Sequence, residues 1–276
     1  MNEQTGTEEK RRVHAEVVRP SLGVQTERLL DETTPPPPPS FPRKCFGDLY
    51  DNLGMLILLN AITAVFCLPF LAVTWVAVAA AFKGSNGGVL VISAPLLLLT
   101  SLPAAGAYGA LSRYTGDIVE GAPRYLSDYW QKGLPLFWRS WLGFLLQAGI
   151  TLVIVLNIGF YITQSNMAFK VLGVVLLSVL LVWVLASLFV WPMIVRRYRW
   201  RSIVRNAFLL AVVAPFRCIA VLLVLLVLSA VLLAIAVGIF ALLLSLWALF
   251  QNEIFVYLRD KFGGDQPAAA PAAAAS

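Results

Sequence analysis

The feature that most constrains this chain is a stretch of 35 residues without a charged side chain, between Arg217 and Glu253. A helix that is apolar on all sides must be buried entirely or lie in lipid. At 1.5 Å per residue, one straight helix of this length would measure about 52 Å, whereas the hydrocarbon core of a bilayer is ~30 Å thick. A single span would need a tilt of ~55°, beyond the usual range of roughly 0–40°. The stretch therefore predicts two membrane spans that turn near Ala234–Gly238.

Four further stretches of 25 to 31 residues also lack charged side chains, and each is long enough to cross a bilayer. They lie between Asp51 and Lys83, between Lys83 and Arg113, between Arg139 and Lys170, and between Lys170 and Arg196. Only 13% of the residues are charged and 59% are hydrophobic, whereas about 25% charged residues is usual in soluble domains. These patterns predict an all-α integral membrane protein with about six transmembrane helices.

The two ends of the chain differ in composition from the apolar centre. Residues 1–45 are polar, mixed in charge and contain the proline run Pro35–Pro39, which predicts a disordered N-terminal tail. The prolines favour a polyproline II spacer or a ligand for a proline-binding groove. No signal-peptide core precedes the first span, so we expect the tail to remain attached. Residues 46–262 are expected to form the transmembrane domain, and the Pro/Ala-rich residues 263–276 a second disordered tail.

Basic residues in the connecting segments predict the orientation of the chain. Lys and Arg number seven before the first span, then one, four, one and six in successive connections, and two after the last span. Cytoplasmic loops carry the excess of basic residues, so this alternation places both termini in the cytoplasm. We expect a multi-pass protein of the bacterial inner membrane.

The connection from Arg113 to Arg139 mixes basic and acidic residues with many aromatic ones. Tyr and Trp anchor amphipathic elements at headgroup level, so a short helix on the membrane surface is expected here. The acidic residues Asp117, Glu120 and Asp128 are interpreted as solvated loop charges.

Six arginines lie between the fourth and fifth predicted spans with no acidic residue among them. Such a loop is typical of the cytoplasmic side, and it attracts anionic lipid headgroups. An amphipathic segment, Arg201 to Ala214, leads to Pro215 and the next span. Although the net charge is +6, its concentration beside spans argues against nucleic acid as a partner. The candidate surface for lipid or a protein partner consists of Arg196, Arg197, Arg199, Arg201 and Arg205.

The residues needed for catalysis or for a cofactor are scarce. The only histidine, His14, lies in the polar tail, and the three cysteines show no metal-binding or disulfide spacing. No phosphate-binding or dinucleotide-binding motif occurs. The predicted spans contain no Asp, Glu, Lys or Arg, which disfavours a proton- or ion-coupled carrier. We therefore expect a protein without enzymatic activity, metal or cofactor.

Four polar residues within the predicted spans are the candidates for an interior path: Asn60, Gln147, Thr151 and Asn157. Gln147 and Thr151 lie on one helix face because they are four residues apart. These groups would either line a path for a small neutral solute or form hydrogen bonds between packed helices, and the second interpretation is favoured.

Several segments in order along the chain resemble the YesL family of small bacterial multi-pass membrane proteins. One difference is that Pro69 and Pro103 lie 34 positions apart, farther than in family members. The similar segments are Leu58–Asn60 with Leu68–Pro69, Pro103–Ala105 with Ala110–Leu111, Arg113 with Gly116, Tyr125 to Trp138, Trp191–Pro192, Tyr198, and Asn206–Leu210 with Pro215.

The resemblance implies a function only in outline, because the family has no established activity. Its members often accompany genes for carbohydrate uptake and degradation. We therefore expect an accessory or scaffold component associated with carbohydrate transport, with the lipid bilayer and a transporter complex as partners. The alternative is a facilitator that itself moves a small neutral solute.

Overall fold

The computed structural model describes residues 41–82, 87–122, 125–234 and 242–262, and within these ranges the chain forms helices and no strand. The predicted all-α class is confirmed. The nine α-helices of the described ranges are α1 (Phe41–Asp51), α2 (Leu53–Phe82), α3 (Gly87–Val119), α4 (Leu126–Gly133), α5 (Phe137–Thr163), α6 (Met167–Val195), α7 (Trp200–Val213), α8 (Pro215–Ala234) and α9 (Leu244–Phe262), with a 3₁₀ turn, Leu134–Leu136, between α4 and α5.

Five helical segments in the described part of the chain are long and apolar enough to cross a membrane. The protein is therefore a multi-pass membrane protein, as the charge-free stretches predicted. The five segments are Leu53–Ala80, Ile92–Val119, Leu126–Thr163, Met167–Val195 and Pro215–Ala234.

The predicted sixth span corresponds to α9, which is not among these five segments. The long charge-free stretch does form two helices, because α8 ends at Ala234 and α9 begins at Leu244; the predicted turn falls mostly on residues 235–241, which lie outside the described ranges. Helix α9 packs against α1, α2, α3, α6 and α8, and its residues 248–256 are all buried. It is thus the central helix of the bundle, and its neighbours shield its polar residues from lipid.

The first helix begins earlier than the predicted boundary of the N-terminal tail. Helix α1 starts at Phe41, and Cys45, which was assigned to the tail, is only 1% exposed. The Phe41 ring packs against that of Tyr257 in α9, with 5.2 Å between their centroids. The first and last described helices therefore meet at one end of the bundle. The proline run and the C-terminal tail lie outside the described residues.

Small residues allow α3 and α5 to approach each other closely. A Cβ atom on Gly106 would clash with the Phe137 ring, and one on Gly109 would clash with the Ser140 side chain. Both glycines belong to pairs of small residues four positions apart, Gly106 with Ala110 and Gly109 with Ala105, and such pairs let helices approach closely.

The short helix expected between Arg113 and Arg139 is also present, as α4. The backbone N–H of Tyr125 donates to the Asp128 carboxylate at 3.1 Å, which caps the start of this helix. Tyr129 is buried, and its hydroxyl hydrogen-bonds Thr63 in α2 at 3.0 Å and the Ala107 carbonyl in α3 at 3.2 Å. Helix α4 is therefore fixed to the bundle.

Candidate functional site

Charged residues form a layer at the end of the bundle where α1 and α9 meet, in which Asp117 and Glu253 are buried and several of their partners are partly exposed; we call this layer the charged end. Asp117 is only 2% exposed, so its interpretation as a solvated loop charge was wrong. The physical reason is that α3 continues to Val119, about two turns beyond the span predicted to end near Ser112. Asp117 consequently lies on the packed side of a helix.

Two basic side chains compensate the buried charge of Asp117. Arg113, one turn earlier in α3, lies 3.0 Å from one carboxylate oxygen, and Lys132 in α4 lies 2.9 Å from the other. Lys132 is also 3.3 Å from Asp128. A buried carboxylate is tolerated when it is paired and hydrogen-bonded in this way, and removal of one partner would be costly.

Arg196, at the end of α6, has an enclosed side chain that is only 8% exposed. Its Nε donates to Glu120 at 2.8 Å, and its Nη1 donates to Asn252 at 2.7 Å and to the Pro192 carbonyl at 3.1 Å. The guanidinium also lies over the ring of Phe255, 4.9 Å from its centroid. This residue holds α6 to α3 and α9.

Asn252 connects three helices through its side-chain amide. Its nitrogen lies 2.9 Å from the Ser112 carbonyl and 3.0 Å from Thr115 Oγ1, while its oxygen accepts the bond from Arg196. A Cβ on Gly116 would be only 3.2 Å from that oxygen. The glycine therefore allows α3 to approach α9 closely enough for these bonds.

Glu253 is also buried, but its charge is compensated less well. Lys44 in α1 is 3.8 Å from the carboxylate and donates instead to the Val119 carbonyl at 3.1 Å. Burial, reinforced by the neighbouring Asp48 carboxylate, raises the pKa of Glu253 to about 8, and Lys44 opposes only part of this rise. The buried site therefore favours the protonated form of this carboxyl group.

The ion pairs and hydrogen bonds of the charged end form a network that holds the helices together. Its charges face each other across α1, α3, α4, α6 and α9, and the hydrogen bonds join residues up to 140 positions apart. This layer was not predicted, because a charged residue that follows an apolar stretch was interpreted as the end of a span. The available signal was the triplet Gln251-Asn252-Glu253, which follows directly on an apolar stretch.

A separate cavity lies between the helices, away from the charged end. Its volume is about 850 Å³, and most of its lining is apolar. Gln147 and Thr151 are among the few polar residues in the wall. The Thr151 hydroxyl is already engaged, because it donates to the Gln147 carbonyl at 2.8 Å and accepts from Trp183 Nε1 at 2.9 Å.

The other two residues of the predicted interior path do not line this cavity. Asn60 is buried in α2, where its oxygen accepts from the Ser245 backbone N–H at 2.9 Å, close to the start of α9. Asn157 donates to the Val153 carbonyl of its own helix at 2.7 Å. The four residues therefore do not form one path, and Asn60 serves helix packing.

The predicted arginine surface is divided by the fold. Arg196 is not part of it, because its side chain points into the charged end. Four of its predicted members are exposed, and none of them pairs with an acidic side chain within the described ranges. We use the name arginine surface for Arg197, Arg199, Arg201 and Arg205.

The exposed side of α7 changes in character along the helix. Ile203, Ala207 and Ala211 are buried against the bundle. The opposite side begins with Arg201 and Arg205, whereas Leu209 and Val212, further along, are exposed and apolar. This order fits a helix that enters the bilayer obliquely, from headgroup level toward the start of α8.

Arg197 occupies a backbone position that normally belongs to glycine. Its φ is +59°, and the bonds from its N–H to the Ile194 carbonyl and from the Tyr198 N–H to the Met193 carbonyl form a Schellman motif at the end of α6. The left-handed conformation costs a residue with a Cβ roughly 1–2 kcal/mol. The chain therefore carries a charged side chain at a strained position.

Arg139, at the start of α5, lies beside this turn. Its guanidinium donates to the Tyr198 carbonyl and stacks over Trp200, 5.2 Å from the ring centroid. Its Nε is buried and has no hydrogen-bond partner in the described part of the chain. The positive charges of Arg139 and Arg197 repel each other. The two residues create a local excess of positive charge.

Comparison with known proteins gives no relative: no family model, curated protein or solved structure matches this chain. The resemblance to the YesL family therefore remains a prediction that rests on the segments quoted above.

Proposed function

We propose that the protein is a non-enzymatic accessory subunit that serves as a scaffold for a transport assembly in the bacterial inner membrane. The supporting observation is the contrast between the charged end and the arginine surface. Asp117 and Arg196 have partners of opposite charge within the bundle, whereas Arg197, Arg199, Arg201 and Arg205 are exposed without an acidic partner in the described ranges. That carbohydrate is the transported substrate follows only from the resemblance to the YesL family.

A scaffold needs a rigid frame, and the charged end supplies one. Bonds from Arg196 and Asn252 fix α3, α6 and α9 relative to each other. Because these groups are buried, a change in the relative position of the helices would leave charges without partners. The arginine surface is held at a constant place on this frame, where it can meet an acidic surface of a partner.

The alternative, a facilitator for a neutral solute, has less support. A sugar-sized solute requires several polar groups that face the same space. Of the four predicted residues, only Gln147 and Thr151 line the cavity, and the Thr151 hydroxyl is engaged within the bundle. The cavity fits an apolar occupant better than a carbohydrate.

The proposal is tested by purification in mild detergent and identification of the copurifying proteins. We expect the wild-type protein to bring down a membrane component of a transporter, and replacement of all four surface arginines by Glu to abolish this. The matched control replaces the same four residues by Lys, which keeps the charge and should keep the partner. Partners unaffected by the Glu variant, or a wild-type protein without any transport component, would contradict the proposal.

A further inference from the structure

Arg197 lies in a turn with a strained backbone, and its neighbour Arg139 is not a member of the arginine surface. A glycine would adopt this left-handed backbone conformation without strain, yet the residue at this position is the positively charged Arg197. Strain of this kind marks positions at which the side chain has a task. Arg139 adds five N–H donors, of which one bonds the Tyr198 carbonyl and the others make no hydrogen bond within the described ranges.

The surroundings of these two arginines indicate the depth at which they lie. Trp138, next to Arg139 in α5, is 64% exposed, and Trp200 lies under the Arg139 guanidinium. Exposed Trp at the end of a membrane span is typical of the headgroup level. Leu142 and Leu146, one and two turns further along α5, are also exposed and apolar, so they extend from this level into the hydrocarbon region.

We propose that Arg139 and Arg197 form a binding site for the phosphate of an anionic phospholipid, whose acyl chains lie along the exposed face of α5 at Leu142 and Leu146. Two guanidinium groups that repel each other in the free protein gain a common counter-ion when a phosphate binds between them. The exposed apolar residues directly below the pair favour a lipid over a free anion, because acyl chains can pack against them and a free phosphate cannot. This lipid site shares Arg197 with the arginine surface, but it requires only Arg139, Arg197 and the apolar face of α5, so it does not depend on the accessory role.

The decisive variant is Arg197→Gly, because it separates binding from folding. Glycine removes the cation and relieves the left-handed backbone, so the variant should be at least as stable as the wild-type protein in detergent. Its affinity for dioleoyl phosphatidylglycerol should fall about fivefold, the effect expected for loss of one arginine at an anionic headgroup. Binding is measured by native mass spectrometry of the purified full-length protein, with dioleoyl phosphatidylcholine as the zwitterionic reference.

The matched control is Lys170→Gln, which removes one exposed positive charge at the other end of α6 and should leave the lipid preference unchanged. An Arg197→Lys variant, which keeps the charge at the strained position, should retain most of the preference for phosphatidylglycerol. If Arg197→Gly keeps the wild-type preference, or if inorganic phosphate at equal concentration displaces the lipid, the site is not a phospholipid site. Loss of copurifying transport proteins with lipid binding intact would affect the proposed function alone.

Discussion

Asn252 and Glu253 are adjacent in α9, yet their burial is compensated very differently. Asn252 has hydrogen-bond partners on two other helices, so its burial is accompanied by bonds that replace those to water. Glu253 Oε1 is buried and has no hydrogen-bond partner in the described part of the chain. A protonated carboxyl group is the form that such a site tolerates best. Glu253 should therefore make the stability of the bundle depend on pH.

We predict that Glu253→Gln reduces the pH dependence of thermal stability in detergent. The pKa of Glu253 is raised from 4.5 to about 8 in the folded protein, so its stabilising contribution is complete below pH 4.5 and is lost as the pH rises through 8. The melting temperature of the wild-type protein should decline between pH 6 and pH 9. The variant is neutral throughout and should decline less, so that its advantage grows with pH.

The control for this experiment is Asp260→Asn, on the same helix, because the Asp260 side chain is 61% exposed. It should follow the wild-type profile. The neighbouring thiol of Cys45 does not titrate in this range, since burial raises its pKa to about 12. A Glu253→Gln variant with the same pH profile as the wild-type protein would show that the carboxylate is ionised at neutral pH.

At the scale of the elements, packing depends on where the small residues lie. Gly109 of α3 faces Ser140 of α5 with no room for a Cβ, whereas Gly149, further along α5, has no atom within 4 Å of the position of a Cβ. The same substitution should therefore affect the stability of the protein differently at the two glycines. One lies in a helix interface and the other on an open surface.

We predict that Gly109→Leu destabilises the protein by about 1–3 kcal/mol, the usual cost of forcing a larger side chain into a packed interface. Gly149→Leu, the control, should be neutral or slightly stabilising, because leucine favours the helix more than glycine does. Chemical unfolding in mixed micelles, followed by tryptophan fluorescence, measures both. Equal stability of the two variants would mean that α3 and α5 do not pack as described.

The ends of the helices were predicted well where a turn follows the apolar stretch and less well where the helix continues into charged residues. The charge-free stretch before Arg196 ends where α6 ends, at Val195, because a turn follows this helix. Helix α3 extends past the predicted end because Arg113 and Asp117 are compensated by each other and by Lys132. The pair of Asp117 with Lys132 joins two helices and leaves no local pattern, so Arg113 was interpreted as the end of the span.

The residues of the candidate site could be predicted from the sequence even less well than the ends of the helices. Arg196 was assigned to an exposed surface because the six arginines between the fourth and fifth predicted spans have no acidic residue among them. Its partners Glu120 and Asn252 lie 76 and 56 positions away. Only the packing of α9 at the centre of the bundle brings them together. The exposed arginines were predictable, since their environment depends on the loop itself.

For the molecule as a whole, the charged end and the basic connections make one topological prediction. The described chain begins and ends at the same side of the bundle, and the positive-inside rule assigns that side to the cytoplasm. A reporter active only in the periplasm should be inactive when fused after Phe262 and active when fused within the turn at Gln164–Asn166. Periplasmic activity after Phe262 would mean that the orientation is inverted or that α9 does not return the chain to the cytoplasmic side.

The central position of α9 has a consequence for biosynthesis. The Ser245 N–H that binds Asn60 is synthesised 185 residues after it, and the Asn252 amide that binds Ser112 comes 140 residues after its partner. The early helices thus enter the bilayer before the groups that complete their polar bonds exist. A nascent chain interrupted before Leu244 would leave Arg196 at the membrane without its hydrogen bond to Asn252, and a buried charge that lacks a partner is costly. The polar bonds of the bundle are therefore complete only after α9 has been synthesised.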